Sequence, residues 1–153
     1  MMNCIEITSN SVKQTQQIAK LIGKNLQGGE CIELISDVGG GKTTFVRGLA
    51  KGAGTKDHIS SPSFTISKVY TTPKFDIIHF DFYRLSEVGL TEFNFVEEIE
   101  DSSSVVVVEW SQIIKHMLPE KKLEINISVL FDESRLLELR YPNNLSYLLQ
   151  DLK

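Results

Sequence analysis

The chain is poor in the features that mark secreted, metal-binding and membrane-spanning proteins. Only two of its 153 residues are cysteines, and Cys4 and Cys31 stand alone, without CxxC spacing or histidine companions. Isolated cysteines of this kind are typical of buried, reduced thiols in a cytosolic protein, so we expect no metal or redox site at either position. No apolar run approaches the roughly 18 residues that a membrane-spanning helix needs, and we expect no membrane contact.

The N-terminus and the net charge exclude further classes of protein. Residues 1–6 lack the basic and apolar regions of a signal peptide, which favours the cytoplasm. Acidic residues outnumber basic ones by 20 to 16, which gives a net charge of −4. A protein whose whole surface grips nucleic acid needs an excess of Lys and Arg, so that class is excluded, whereas a local basic patch is not. The length suits a single domain over residues 1–153, and no linker or internal repeat divides the chain.

The hydrophobic pattern predicts strands that alternate with helices. The valine run Val105–Val108 has the unbroken β-branched character of a strand that is buried on both faces. The predicted strands are Ile5–Ile7, Cys31–Ile35, Ser63–Tyr70, Phe75–Phe80 and Val105–Val108. The predicted helices are Val12–Leu26, Lys42–Ala53, Leu90–Glu100 and Ser111–Met117.

The period of the pattern changes near the C-terminus. From Leu123 to Phe131 apolar and polar residues alternate, and they alternate again from Leu137 to Tyr141 after a turn at Asp132–Ser134. Alternation of period two indicates strands with one wet face. The predicted fold class is therefore α/β, with a mixed sheet flanked by helices and a C-terminal antiparallel hairpin.

The strongest functional signal is the segment Ser36–Thr44, which follows a predicted strand and opens a predicted helix. This is the context of a Walker A motif, or P-loop, and it predicts binding of the phosphates of ATP or a close relative. Three glycines let backbone N–H groups approach phosphate oxygens, and the helix N-terminus favours the same anion. Lys42 is expected to reach the β- and γ-phosphates, and the Thr43 hydroxyl to bind Mg²⁺. The predicted phosphate-binding residues are Asp37, Val38, Gly39, Gly40, Gly41, Lys42, Thr43 and Thr44.

One residue departs from the Walker A pattern, which has glycine where this chain has Ser36. A serine still allows the chain to turn, and the three glycines keep the rest of the loop permissive. The alternative interpretation is a glycine-rich turn that merely caps a helix. We also expect Lys42 to lie on the surface of the empty site, so that its replacement leaves the fold intact.

A P-loop needs an acid opposite Thr43 to complete the magnesium shell, usually at the end of a neighbouring buried strand. Asp81 follows one predicted strand and Glu109 follows the four valines, so both meet this requirement. We expect at least one of them to bind the metal. The other is expected to act through a water, on the metal or on the attacking water.

Residues beside these acids have two interpretations each. A lone histidine in a strand, such as His79, is typical of a satisfied core residue, although a catalytic role is also open. Arg84 is a candidate either for stabilising phosphate charge or for a structural ion pair. Trp110, directly after Glu109, is expected to pack rather than to stack on a base.

Four segments together resemble one family. Their sequences are GGGKTTFVRG, SPSFTI, HFDFYRL and VEW, at Gly39–Gly48, Ser61–Ile66, His79–Leu85 and Val108–Trp110. They resemble, in order and spacing, the P-loop, S-P-[TS]-[FY]-T, H-x-D-x-Y-R-L and [VI]-E-W segments of the TsaE (YjeE) family. This family comprises small bacterial ATPases of the tRNA threonylcarbamoyladenosine pathway, and the resemblance runs from about Glu6 to Arg140.

The resemblance implies a P-loop NTPase-like fold and a cytoplasmic, Mg²⁺-dependent ATPase that forms ADP and phosphate slowly when it is alone. It implies work with the TsaB–TsaD pair, in which TsaD transfers threonylcarbamoyl to adenosine 37 of ANN-decoding tRNAs. ATP hydrolysis would reset that complex between turnovers, and tRNA would be involved only indirectly.

The resemblance also implies residue roles. Thr43 and Glu109 would bind Mg²⁺, Asp81 would be the essential acid and a metal ligand, and Lys42 would join both acids in catalysis. Ser61–Thr65 would form a switch-like loop near the γ-phosphate. Positions near the nucleotide would be Thr8, in an N-terminal loop, and Arg135. The family usually has glycine and leucine where this chain has Ser36 and Val38.

Three rival functions have weaker support. A small-molecule kinase typically carries several arginines in a lid, but this chain has only four arginines and no lid-sized insertion. A GTPase usually has an [NT]-K-x-D segment, and in Thr55–His58 the acid comes one residue early. A nucleotide-sensing scaffold that binds ATP without turnover is the third, and phosphate release with and without partners would distinguish it.

Overall fold

The computed structural model describes residues 2–152 apart from 38, 61, 63–66 and 84–88. Seven strands of these residues form one sheet in the order β1-β7-β6-β2-β5-β4-β3. The strands are β1 (Met2–Ser9), β2 (Cys31–Ile35), β3 (Ser67–Thr71), β4 (Asp76–Asp81), β5 (Ser104–Glu109), β6 (Leu123–Val129) and β7 (Arg135–Pro142). The helices are α1 (Val12–Lys24), α2 (Lys42–Ala53) and α3 (Gly89–Glu100), with 3-10 helices at Ser111–Met117 and Asn143–Leu152.

The sheet is mixed, as the sequence predicts. Strands β4, β5, β2 and β6 run parallel to one another, whereas β3, β7 and β1 are antiparallel to their neighbours. The predicted C-terminal hairpin is confirmed as the β6–β7 pair. All six residues of β5 are buried, in agreement with the prediction for the valine run.

Helices cover both faces of the sheet. On one face α1, α2 and the C-terminal 3-10 helix pack on alternate residues of the central strands, including Ile32, Ile77, Val105 and Val107. On the other face Phe95 of α3 and Ile114 pack on the intervening residues. Since side chains alternate between the faces of a strand, residues 79 and 81 of β4 and residue 109 of β5 lie on the α2 face.

Helix α1 begins where capping predicts, because Ser11 accepts a hydrogen bond from the Gln14 N–H at 3.0 Å. It ends two residues earlier than predicted, with Asn25 at its C-cap. No helix in the described part of the chain is long and apolar enough to cross a membrane.

Several predictions need correction. The first strand is longer than Ile5–Ile7 and pairs along its whole length with β7, so Thr8 lies in a strand and not in a loop. The segment Ser111–Met117 forms 3-10 turns that kink at Ile114 instead of a regular helix. Strand β6 ends at Val129, and Phe131 is exposed in the turn. Residues 63–66 of the predicted third strand lie outside the described residues.

The two cysteines differ in environment, contrary to the expectation that both are buried. Cys4 is exposed on the edge strand β1, whereas Cys31 is buried in the centre of the sheet. Burial, together with the nearby Glu33 carboxylate, raises the pKa of the Cys31 thiol to about 12. Cys31 is therefore protonated at neutral pH.

Candidate functional site

The carboxyl ends of β2, β5 and β4 meet at one edge of the sheet, because these neighbouring strands are parallel. The loop after β2 leads into α2, Glu109 ends β5, and Asp81 ends β4. Open α/β sheets bind ligands at this edge. Three segments that are far apart in the sequence are thus brought to one place.

The loop between β2 and α2 depends on its glycines. Gly39 has φ 79° and Gly41, the N-cap of α2, has φ 108°, a left-handed conformation that side chains disfavour. A Cβ atom on Gly40 would lie 1.7 Å from the Ser36 hydroxyl oxygen. Val38 lies outside the described residues.

Ser36 is accommodated in the loop by Gly40. The Ser36 side chain occupies the space that a Gly40 side chain would fill, and its hydroxyl donates to the Asp37 carbonyl at 3.3 Å. The Gly40 N–H closes the turn by donating to the same carbonyl at 3.0 Å. A serine at the first Walker A position therefore fits this loop, but only because position 40 has no side chain.

Lys42 is buried, with 6% of its surface exposed, and the expectation of a surface side chain is wrong. Its ammonium donates to the carbonyls of Ser36 and Asp37, at 3.0 and 3.1 Å, and lies 4.6 Å from the centre of the Trp110 ring. Desolvation lowers the pKa of Lys42, while the carboxylates of Glu109, Asp81 and Asp37 act in the opposite direction. The amine is held inside the loop, close to where phosphates bind in a P-loop.

Asp81 and Glu109 lie opposite each other in the β4–β5 ladder. Both are buried on the face that α2 covers. Asp81 accepts a hydrogen bond from the Tyr83 N–H at 3.0 Å. The structure thus brings together the two acids that the sequence offers as magnesium ligands. The charges of both carboxylates act to raise the pKa of Lys42.

His79 is a core residue with a specific partner. Its Nε2 atom lies 2.5 Å from Oε2 of Glu109, and both residues are buried, with 0% and 2% of their surfaces exposed. The hydrogen bond holds one carboxylate oxygen of Glu109 in place. His79 therefore positions an acid of the site. The sequence around His79 does not reveal this role, because Glu109 lies 30 residues away on another strand.

Thr43 and Thr44 lie half-buried in the first turn of α2, directly after Lys42. No group of three or more His, Cys, Asp or Glu in the described residues is placed to hold a metal ion. Mg²⁺ commonly takes one or two carboxylates together with waters and substrate phosphates. Two buried acids and a threonine hydroxyl beside a glycine cradle fit that requirement.

Arg135 reaches the loop from β7. Its Nε donates to the Gly40 carbonyl at 3.1 Å, and Nη1 donates to the Glu133 carbonyl at 2.6 Å. Thr8 lies in β1 opposite Leu136, one position from the pair formed by Ser9 and Arg135. Both residues that the sequence placed near the nucleotide thus lie on adjacent strands, and Arg135 contacts the loop itself.

Trp110 lies between Lys42 and Tyr83 and contacts both side chains. Trp110 has φ 55°, an uncommon conformation for an aromatic residue, and its ring lies 4.7 Å from that of Tyr83. Strained residues of this kind concentrate at functional sites. Trp110 packs, as predicted, against Tyr83 and the core on that face of the sheet, and it also contacts the amine of Lys42. In the sequence, the one sign that Trp110 belongs to the site is its position directly after Glu109.

Two predicted features cannot be placed. The switch-like segment Ser61–Thr65 lies outside the described residues except for Pro62, and Arg84 lies outside them as well.

Residues 9–137 match the protein family described as threonylcarbamoyl adenosine biosynthesis protein TsaE. The chain belongs to the TsaE family. The tRNA threonylcarbamoyladenosine biosynthesis protein TsaE of Rickettsia prowazekii is 39% identical over 138 residues, which cover 89% of this chain and 94% of that protein. The Bacillus subtilis protein of the same name is 35% identical over 123 residues, covering 80% of this chain and 77% of the relative.

The fold of this TsaE-family chain also matches a solved structure. The crystal structure of Bacillus subtilis YdiB superposes with a TM-score of 0.78 at 31% sequence identity, covering 99% of this chain and 95% of the other. The predicted fold class, an α/β P-loop NTPase-like mixed sheet, is confirmed.

Proposed function

We propose that this protein binds ATP with Mg²⁺ and hydrolyses it slowly, in support of threonylcarbamoylation of adenosine 37 in ANN-decoding tRNAs. The observation that carries the proposal is the glycine loop with Lys42 at the sheet edge where Asp81 and Glu109 also end. Relatives that share 35–39% of their aligned residues with the chain are named for tRNA threonylcarbamoyladenosine biosynthesis. The loop and the acids support binding of ATP, and the names of the relatives support the tRNA pathway.

The loop supplies the positive charge for the phosphates. The N-terminus of α2 and the loop N–H groups that are not engaged in its turn would face the anion, and Lys42 would neutralise charge on the β- and γ-phosphates. Its ammonium now donates to two loop carbonyls. Binding of phosphates would require it to exchange these acceptors for phosphate oxygens.

The acids and Thr43 would hold the metal, which neutralises charge on the β- and γ-phosphate oxygens when it is bound. The Thr43 hydroxyl and one carboxylate are the proposed ligands. Glu109 has one oxygen held by His79, and Asp81 accepts from the Tyr83 backbone. Whichever acid is not a direct ligand would orient the attacking water.

The proposed partner is the TsaB–TsaD complex, with tRNA involved only through it. Phosphoryl transfer is catalysed mainly by positioning and charge stabilisation, and a missing arginine can cost about 10³–10⁵ in rate. Arg135 contacts the loop through a backbone carbonyl, and its Nη1 is engaged by Glu133. A chain with this arrangement is expected to be a weak ATPase until a partner completes the site.

A nucleotide-sensing scaffold without turnover is the second candidate. It is favoured by the position of Lys42, which is enclosed by the loop carbonyls and the Trp110 ring. The same assay separates the two functions, because a scaffold binds ATP but releases no phosphate even when TsaB and TsaD are present.

The first test measures phosphate release from ATP by the protein with TsaB and TsaD, in Mg²⁺ and in EDTA. We expect EDTA to abolish release, because a hydroxyl and carboxylates suit a hard cation. We expect Lys42→Ala to reduce release to the assay background, since its charge in the loop is lost. Lys74→Ala, which removes an exposed lysine in the turn between β3 and β4, is the matched control and should be unchanged.

Because Lys42 is buried, circular dichroism of Lys42→Ala and of Lys42→Met must first show a folded chain. A folded variant with wild-type turnover would overturn the P-loop assignment. In a Mg²⁺ titration, Glu109→Ala or Asp81→Ala should shift the midpoint, and the variant whose curve overlays the wild type identifies the acid that is not a direct ligand.

A further inference from the structure

A cavity of about 560 Å³ lies between α1, α2 and the segment that follows α2. Its lining includes Lys13 and Lys20 from α1, Arg47 and Lys51 from α2, and Lys56 from the following segment. None of its lining residues belongs to the P-loop segment 36–44. The cavity is therefore separate from the proposed ATP site, although α2 contributes to both.

The charge around this cavity contrasts with that of the whole protein. Five of the sixteen Lys and Arg residues line it, in a chain whose net charge is −4. The carboxylate among the lining residues is that of Asp57, which accepts a hydrogen bond from the Thr71 N–H at 2.8 Å. None of the five cations forms an ion pair with a carboxylate of the described residues. Clustered like charges without ion-pair partners destabilise a folded protein, and a bound anion would relieve that repulsion.

Close packing of the two helices fixes the backbone positions that carry four of the five cations. A Cβ atom on Gly48 would lie 2.3 Å from the Gln16 carbonyl oxygen, and one on Gly52 would lie 2.1 Å from that of Lys20. The backbones of α1 and α2 therefore touch directly. Arg47 and Lys51 are four residues apart, so their side chains extend from the same face of α2.

Arg47 also links the cavity to the chain beyond α2. Its Nε donates to the carbonyl of Ile59 at 3.3 Å, and Ile59 directly precedes Ser60. The Tyr70 hydroxyl donates to the Ser60 carbonyl at 2.7 Å. Ile59, which lines the cavity, is thus bonded to α2, and the next residue is bonded to strand β3.

We propose that this cavity is a second anion site, for a small molecule that carries two or more phosphate groups. Its volume lies within the range of about 300–1,000 Å³ that is typical of small-molecule sites. Lysine ammonium groups bind phosphate as point charges, and Arg47 adds a guanidinium. No Phe, Tyr or Trp in the described part of the chain lines the cavity, so the imidazole of His58 is the one aromatic ring that its lining offers to a nucleic-acid base.

The test is an amide chemical-shift titration of the full nitrogen-labelled chain with inorganic pyrophosphate, at low ionic strength where exposed charges are least screened. We expect saturable shifts at residues 13–20 and 47–57, in addition to any at 39–44. The double variant Lys20→Ala, Lys51→Ala should lower the pyrophosphate affinity obtained from the shifts at 13–20 and 47–57 by about tenfold or more. Two charge-assisted contacts are lost in this variant. All four lysines of the variant and its control are exposed, so both chains should fold.

The matched control is Lys74→Ala, Lys121→Ala, which removes the same charge outside the cavity and should retain wild-type affinity. Shifts confined to 39–44 would overturn the proposal, as would equal weakening in the control. A short RNA duplex that shifts residues 13–20 and 47–57 when pyrophosphate does not would also overturn it, in favour of a nucleic-acid backbone. If the double variant fails to fold, the single variant Lys51→Gln replaces it, and it should also lower the affinity for pyrophosphate.

Discussion

At the scale of single residues, the site depends on contacts between buried polar groups. His79 holds Glu109, the Asp37 and Ser36 carbonyls hold Lys42, and Trp110 covers the amine. A buried polar group that loses its partner costs free energy because water cannot replace the lost hydrogen bond. These contacts therefore contribute to stability as well as to the geometry of the site.

We expect His79→Ala to lower the free energy of unfolding by about 2–4 kcal/mol, since it leaves a cavity and an unpartnered Glu109 oxygen. His79→Gln, which retains a hydrogen-bond donor, should lose less. Urea denaturation measures both changes. His58→Ala is the control, because His58 is exposed and a surface change is worth about 0.5 kcal/mol or less. Equal stability of His79→Ala and the control would mean that the pair contributes nothing to the fold.

At the scale of elements, α1 and α2 pack backbone against backbone. Three helical glycines, Gly23, Gly48 and Gly52, lie where the backbones meet, and a Cβ on Gly23 would lie 2.0 Å from the Leu49 carbonyl oxygen. Backbone atoms cannot move aside as a flexible side chain can. Close packing at this point fixes the position of α2, and therefore of its N-terminus at the P-loop.

Two effects compete when Gly48 is replaced by alanine. Helix propensity favours alanine by about 1 kcal/mol, whereas overpacking of a tight contact costs about 1–3 kcal/mol. With the new Cβ 2.3 Å from the Gln16 carbonyl oxygen, we expect the clash to dominate and the thermal midpoint to fall. Differential scanning calorimetry measures it, with Gln17→Ala on the exposed side of α1 as the control. A higher midpoint for Gly48→Ala would show that the two helices separate at little cost.

At the scale of the whole molecule, the question is how nucleotide binding reaches a partner protein. The P-loop, Asp81, Glu109, Arg135 and the segment around Pro62 come from separate parts of the chain. The segment of Ser61–Thr65 has the hydroxyl residues and the proline of a loop that orders around a γ-phosphate. Such a loop would present a different surface with ATP than with ADP, which a partner would detect.

We therefore expect the TsaB–TsaD complex to bind this protein more tightly with a non-hydrolysable ATP analogue than with ADP, as measured by calorimetry. Asp81→Ala should still bind nucleotide but fail to support repeated tRNA modification. Lys74→Ala serves as the control for both measurements. Equal partner affinity in the two nucleotide states would refute the switch, and full activity of Asp81→Ala would remove that acid from the mechanism.

The sequence by itself determined the features that depend on consecutive residues. The P-loop was readable because three glycines, Lys42 and the start of α2 act through local backbone conformation. The bounds of β2 and α2 matched the prediction, and the alternation after Leu123 predicted the β6–β7 hairpin. In each case the pattern lies within a short stretch of chain, where periodicity and turn chemistry dominate.

Only the tertiary structure decided which distant residues meet. It joined Arg135 to Gly40, Trp110 to Lys42 and His79 to Glu109. It also placed β1 beside β7, exposed Cys4, and packed the unpredicted C-terminal 3-10 helix on the core through Leu145, Leu148 and Leu149. These outcomes depend on strand order and on the packing of helices across the sheet, which involve residues as many as 140 positions apart. Local propensity carries no information on such pairs, because their free energy comes from burial and hydrogen bonds that exist only once the sheet is assembled.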